Sequence, residues 1–125
     1  MDKHKIFKLL LSFQDMKEVK KLWGEENHFV FNTKCTVKIL TVKPRQMFSL
    51  QYHKKRKETW YFLTPGYVQI GVQKRRVKKG EVVNIKKGQA HRIMAKDKTV
   101  QVLEISFGKF KKGDIIRIED KYGRK

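Results

Sequence analysis

The chain has 125 residues, long enough for one domain with a single core. Its hydrophobic fraction of 39% fits a folded protein, while 34% charged residues demand a surface dense in charge. One cysteine, Cys35, excludes an intrachain disulfide and a cysteine-rich zinc site.

The net charge of +19 is mostly lysine and raises the expectation of an anionic partner: nucleic acid, an anionic membrane or a phosphorylated metabolite. The plainer reading is a solvated, lysine-rich surface. No apolar stretch approaches the roughly 20 residues needed to span a bilayer, so no membrane role is expected and a cytoplasmic protein is the default. Residues 1–11 carry a short apolar run interrupted by Lys8, with no small-residue cleavage site, and do not read as a signal peptide.

In chain order, Phe13, Met16, Val19, Leu22 and Trp23 fall at roughly helical spacing, which predicts a short N-terminal helical or irregular segment. From His28 onward, short apolar or alternating runs recur between Gly, Pro, Asp and Lys turns. Strands are expected near 28–32, 35–42, 46–52, 58–63, 67–72, 82–85, 91–95, 99–107 and 115–119. Cys35 begins one of these runs and reads as a buried, inert thiol. That rhythm predicts an all-β barrel or sandwich rather than βαβ units. One domain is expected over 1–125, with residues 1–20 as an extension and 21–124 as the core.

Four residues stand out chemically. Gln51, His53, Glu58 and His91 can each give a lone pair to a metal ion. Two imidazoles, a carboxylate and an amide oxygen make a plausible ligand set for a borderline divalent metal. Gln51 and His53 are two apart and point to one face of a strand. A tight hairpin through Lys54 to Lys57 is expected to bring Glu58 beside them, and His91 to arrive from a later strand. Zinc, cobalt, manganese, nickel and iron(II) all tolerate such ligands.

The spacing resembles the two motifs of the cupin family. The first reads G-x5-H-x-H-x(3,4)-E-x6-G; here Gln51 takes the place of the first His, followed by His53 and Glu58. The second reads G-x5-P-x-G-x2-H-x3-N; Gly80, Gly88 and His91 fall in register. Arg45 stands where the first motif begins with Gly, Gly66 follows Glu58 after seven residues instead of six, and Lys86 and Ala95 replace the Pro and Asn. The string from Ser49 to Trp60 further resembles the S-L-Q-x-H-x-x-R-x-E-x-W signature of type II mannose-6-phosphate isomerases. Lys21-Leu22-Trp23-Gly24 is similar to the K-P-W-G opening of that family, and the stretch from Asp114 to Arg124 is similar to its D-I-x-R-x-x-D-x-Y-G-R ending. Lys112-Gly113 stands where that tail has acidic residues.

The resemblance implies an all-β cupin fold, a double-stranded β-helix or jelly-roll barrel, holding one divalent metal ion. It implies an aldose–ketose isomerase interconverting mannose 6-phosphate and fructose 6-phosphate through a cis-enediol. It also implies that Arg117 lies near the reacting centre, in catalysis or phosphate binding. Arg56, Lys38 and Arg124 are candidate phosphate ligands, since a guanidinium suits phosphate through its bidentate fork. Tyr122 is a candidate sugar ligand, and Trp60 is expected to floor the cavity or pack the core. The carbon base stays open between Glu58 and a metal-bound hydroxide. Small cupins pair through an edge strand, so a homodimer is expected.

Two rivals remain at this point. One is a cupin enzyme acting on another phospho-sugar or a nucleotide sugar. The other is a non-enzymatic module gripping nucleic acid through Lys74-Arg75-Arg76-Val77-Lys78-Lys79. Against the second, no helix-turn-helix, RNP or zinc-finger pattern appears, and the basic run fits a hairpin between the two motifs.

Overall fold

The computed structural model describes residues 16–109, 111 and 113–125. Two compact units are distinguished, divided between Thr33 and Lys34. The expected N-terminal helix is not what residues 17–28 form; Phe13 lies outside the described residues. Strands β1 (Lys17–Lys21) and β2 (Gly24–His28) pair antiparallel, with Lys21 opposite Gly24. Leu22 and Trp23 are the two-residue turn between them and are largely exposed. Their spacing from Val19 imitates a helical stripe, but two apolar residues at a hairpin tip bury nothing. Lys20 forms ion pairs with Glu18 on its own strand and with Glu25 directly across. The strand expected over 28–32 is also absent: His28 closes β2, and Asn32 takes a left-handed φ of 49° that breaks an extended run.

Among the described residues, the second unit holds nine strands. They are β3 (Thr36–Val42), β4 (Leu50–Tyr52), β5 (Arg56–Phe62), β6 (Gly66–Ile70), β7 (Gln73–Val77), β8 (Val82–Ile85), β9 (His91–Met94), β10 (Val100–Gly108) and β11 (Ile116–Glu119). They form a four-stranded sheet ordered β3-β10-β5-β8 and a five-stranded sheet ordered β11-β4-β9-β6-β7, every pairing antiparallel. No helix occurs among the described residues, and none is long and apolar enough to cross a membrane. The architecture is the all-β jelly roll that the family resemblance implied.

Alternation explains the core. Trp60 and Phe62 of β5, Val83 and Ile85 of β8, and Val100 and Val102 of β10 meet Val68 of β6 and Ile93 of β9 in one buried cluster. Each fully buried apolar side chain of this size stabilises the fold by about 1.5–3 kcal/mol. Cys35 lies half-buried just before β3.

Three local differences matter. Over 46–52 only Leu50–Tyr52 is a strand, preceded by a lone bridge between Met47 and Met94. The basic run begins as strand β7, invisible to apolar patterning because Gln73 to Arg76 are all exposed and only Val77 is buried, and Lys78 and Lys79 follow it in the turn. Finally, β4 and β5 are not a hairpin. They lie in different sheets, and residues 53–55 cross between them. The carboxylate of Asp114 accepts the backbone N–H groups of Lys54 and Lys55 at 3.0 and 2.9 Å. The crossing therefore needs no ladder partner for those donors.

Candidate metal centre

His53 leaves the end of β4, Glu58 lies early in β5, and His91 opens β9 directly opposite Gln51 of β4. All three side chains are buried. His53 Nε2 is 3.2 Å from Glu58 Oε1, and His91 Nε2 is 3.9 Å from Glu58 Oε2. One ligand atom from each residue falls within 4.8 Å of the others.

Backbone carbonyls set the tautomers. The Nδ1 of His53 is 2.6 Å from the carbonyl of Asp114, and the Nδ1 of His91 is 2.8 Å from the carbonyl of Gln89. A carbonyl only accepts, so each ring carries its proton at Nδ1 and turns a lone pair at Nε2 toward Glu58. This is the arrangement that orients imidazoles around a cation. Burial pushes the His91 imidazole down, and so favours the neutral, ligating form. Burial pushes the Glu58 carboxyl up, but the hydrogen bond that His53 gives, and the charge that each imidazole brings, when the ring takes a second proton at Nε2, outweigh it and hold the group below its ordinary value. Trp60, fully buried, donates Nε1–H to Glu58 Oε2 at 2.9 Å and meets the His91 ring edge-on. It packs the core and orients the carboxylate at once.

The donor set fits a divalent cation. His91 Nε2 is buried without a hydrogen-bond partner, a costly state for a polar atom unless a cation faces it. Gln51 stands beside the triad across from His91, with Oε1 accepting the Ser49 hydroxyl at 2.6 Å. An amide oxygen has a second lone pair to give. Arg56 is not at an exposed tip. It is buried, with Nη2 3.2 Å from His53 Nε2 and Nε 3.4 Å from Glu58 Oε1.

The remaining candidates gather in a second place. A cavity of about 430 Å³ is lined by Gln51, Arg117, Tyr122 and Arg124, together with Gln46 and Ser49. Arg117 donates Nη1–H to the carbonyl of Lys125 at 2.9 Å, while its Nε is buried without a hydrogen-bond partner. Arg124 grips Asp120 through Nε and Nη2 at 2.9 and 3.1 Å. Tyr122 donates its hydroxyl to Gln46 Oε1. Lys38 is apart from this cavity, on β3 opposite Glu104 of β10.

Glu104 is the residue that motif reading passed over. It is buried, and its Oε1 accepts the Ser106 hydroxyl at 2.8 Å. Burial, and then the charge of Glu58, push its carboxyl up. The signal was present: in Val100-x-Val102-x-Glu104-x-Ser106, a carboxylate occupies an inward position of a buried strand.

An antiparallel jelly roll carrying a His–Glu–His set at these positions is a cupin. Residues 12–120 match the family described as Mannose-6-phosphate isomerase C-terminal, and the chain belongs to that family. It is 32% identical over 111 residues to a mannose-1-phosphate guanylyltransferase of Klebsiella pneumoniae, covering 86% of this chain and 24% of that protein. The chain thus spans about a quarter of the length of the curated relatives it matches. The capsular polysaccharide assembling protein CapF of Staphylococcus aureus superposes with a TM-score of 0.62 at 18% identity, over 84% of this chain and 33% of that one. A cupin protein from Bacteroides fragilis superposes at 0.56 and 19% identity, over 66% of this chain and 75% of that one. These likenesses to solved structures establish the fold.

Proposed function

We propose that the chain is a metal-dependent aldose–ketose isomerase interconverting mannose 6-phosphate and fructose 6-phosphate. The observation that carries the reading is the convergence of two Nε2 lone pairs and a carboxylate, next to a cavity that Arg117 lines. Family membership and the curated sugar-phosphate relatives support the substrate class.

His53, Glu58 and His91, with Gln51, would hold the ion. When bound, a divalent metal polarises a sugar carbonyl and lowers the cost of charge on the enediol oxygens. The protein's own residues do the rest. Gln51 belongs both to the ligand neighbourhood and to the cavity wall, and so connects the two. Arg117 presents a guanidinium with a spare, buried Nε–H to an anionic group in the cavity. Tyr122 and Arg124 close the far wall, though Arg124 must share its fork with Asp120. Trp60 and the Asp114 carbonyl hold Glu58 and His53 in place. Glu104, a buried carboxyl pushed up by burial and by the charge of Glu58, lies outside the lining of the cavity and is assigned no step of the reaction. It lies on the same interior as Glu58 and faces Lys38 across the strands.

A coupled assay for fructose 6-phosphate formation tests the reading, run on metal-stripped protein with zinc, cobalt, manganese, nickel or iron(II) added singly. Turnover that requires a metal is expected; none with any ion defeats the reading. The curated guanylyltransferase relatives favour a second reading, a cupin enzyme acting on another phospho-sugar or a nucleotide sugar. A substrate panel in the same assay format separates the two.

A further inference from the structure

A second cavity, of about 820 Å³, lies at the opposite end of the barrel. Strand register gives the separation. On β10, Ser106 pairs with Glu58 at the metal-facing end, whereas Val102 pairs with Phe62 four residues away. Four residues of strand span roughly 13 Å, and the cavity begins beyond Phe62, between the turn after β5, the turn after β7 and the loop from β9 to β10.

The floor and the walls of this cavity differ. The floor is apolar and closed. Val77 and Val100 are buried there, and a Cβ on Gly66 would come within 2.7 Å of Val100 Cγ1. The walls are cationic: Arg76, Lys78 and Lys79 stand on one side, and Lys96 and Lys98 on the other. Tyr67 sits between them, with Lys96 Nζ 4.4 Å and the Arg76 guanidinium 5.9 Å from its ring centre. Two carboxylates also line the space, Glu81 and Asp97. Glu81 is committed to Arg75 at 2.7 Å, outside the lining. Among the described residues, none of the five cations forms an ion pair with a carboxylate. An exposed lysine run on a flat strand would be a solvated face; here Arg76 of β7 and Lys96 of the loop from β9 to β10 meet on one aromatic ring above an apolar floor.

We propose that this cavity binds a small phosphate-bearing ligand of the nucleotide class. Its phosphates lie between Lys96 and Arg76, and its ring system rests on the floor formed by Val77 and Val100. The volume falls in the range of small-molecule pockets, roughly 300–1,000 Å³. Cations on opposing walls favour two adjacent phosphates over one. The site uses none of the residues assigned to the metal centre and stands independently of the isomerase reading. It gives the basic run of β7 and its turn a specific occupant.

Isothermal titration of the full chain with ADP and with inorganic pyrophosphate, at low and high salt, tests the proposal. Both probes are expected to bind, ADP more tightly, with affinity falling as salt rises. Arg76→Glu combined with Lys96→Glu should weaken ADP at least tenfold. His53→Ala combined with His91→Ala should leave ADP affinity unchanged. Lys78→Gln with Lys98→Gln is a milder pair, expected to weaken ADP several-fold, should charge reversal disturb folding. No binding, or binding unaffected by either wall variant, overturns the proposal. Equal affinity for pyrophosphate and ADP overturns the nucleotide assignment. A single-stranded oligonucleotide that binds far more tightly than ADP, with the same sensitivity to the variants, would make the site a nucleic-acid surface instead.

Discussion

Arg56 and His53 share a buried hydrogen bond, in which the guanidinium Nη2 donates to the imidazole Nε2 at 3.2 Å. The atom that accepts this bond is the one that would bind a metal, so the guanidinium and an ion compete for one lone pair. A hydrogen bond to a charged group contributes about 1.5–3 kcal/mol, and tenfold in affinity corresponds to about 1.4 kcal/mol. Arg56→Gln is therefore expected to tighten zinc or cobalt binding by about tenfold or more, read by titration of metal-stripped protein. A weaker affinity in the variant would show that Arg56 holds the ligands in place rather than opposing the ion.

Glu104→Gln keeps the side chain's shape and its acceptor for Ser106 while removing the ionisable proton. The readout follows from the raised carboxyl. A carboxyl whose folded pKa exceeds its unfolded value contributes stability that is fully present below the unfolded pKa. That contribution is lost as pH rises through the folded value. Thermal melts from pH 4 to 8 should show wild type losing ground to the Gln variant as pH rises. A difference that does not change with pH would place Glu104 in ordinary water-exposed surroundings.

Asp114 has the opposite sign. The backbone N–H groups of Lys54 and Lys55 hold its carboxyl below the ordinary range. Stability from this contact is present above the unfolded pKa of about 3.9 and is lost as pH falls through the lower, folded value. Asp114→Asn should melt below wild type at pH 7, and the gap should close below about pH 4. A gap of constant size down to pH 2 would mean that the ionised carboxylate is irrelevant to the crossing.

Arg45 occupies the left-handed region, at φ 63°, where the cupin pattern begins with glycine. The turn keeps its shape: Arg45 N–H donates to Lys96 O at 2.7 Å, and Arg45 O accepts Lys121 Nζ at 2.8 Å. A left-handed non-glycine residue costs roughly 1–2 kcal/mol, partly offset by the roughly 0.5–1 kcal/mol of backbone freedom that glycine loses on folding. Arg45→Gly should raise Tm by about 2–3 °C. A fall in Tm would show that the arginine side chain has contacts worth more than the strain.

The convergence of His53, Glu58 and His91 was legible because side chains that meet inside a barrel must fall at inward strand positions, and these three do so at recognisable offsets, with Gln51 opposite His91. Their assembly was not. Lys54 to Lys57 read as a hairpin tip, whereas Asp114, about sixty residues on, supplies the acceptors that let the chain change sheets. Leu22 and Trp23 misled in a different way, since apolar residues in a two-residue turn mimic the spacing of a helix. β7 was silent because four charged or polar residues in a row carry no periodicity. Arg56 read as a phosphate ligand in the hairpin tip, for residue type alone does not tell a guanidinium at a loop tip from one buried beside a carboxylate. At Arg45 the departure from glycine is visible in sequence, but the persistence of the glycine-like backbone is a property of the hydrogen bonds that frame it.

His91 belongs to the five-stranded layer, His53 to the crossing that leaves it, and Glu58 to the four-stranded layer. An ion held by all three would be a rivet between layers, and the layers could not part without releasing it. Melting temperature then becomes a meter of site occupancy that needs no substrate: an ion at 100 times its Kd adds about 2.7 kcal/mol to the folded state, and heat alone would rank the candidate metals.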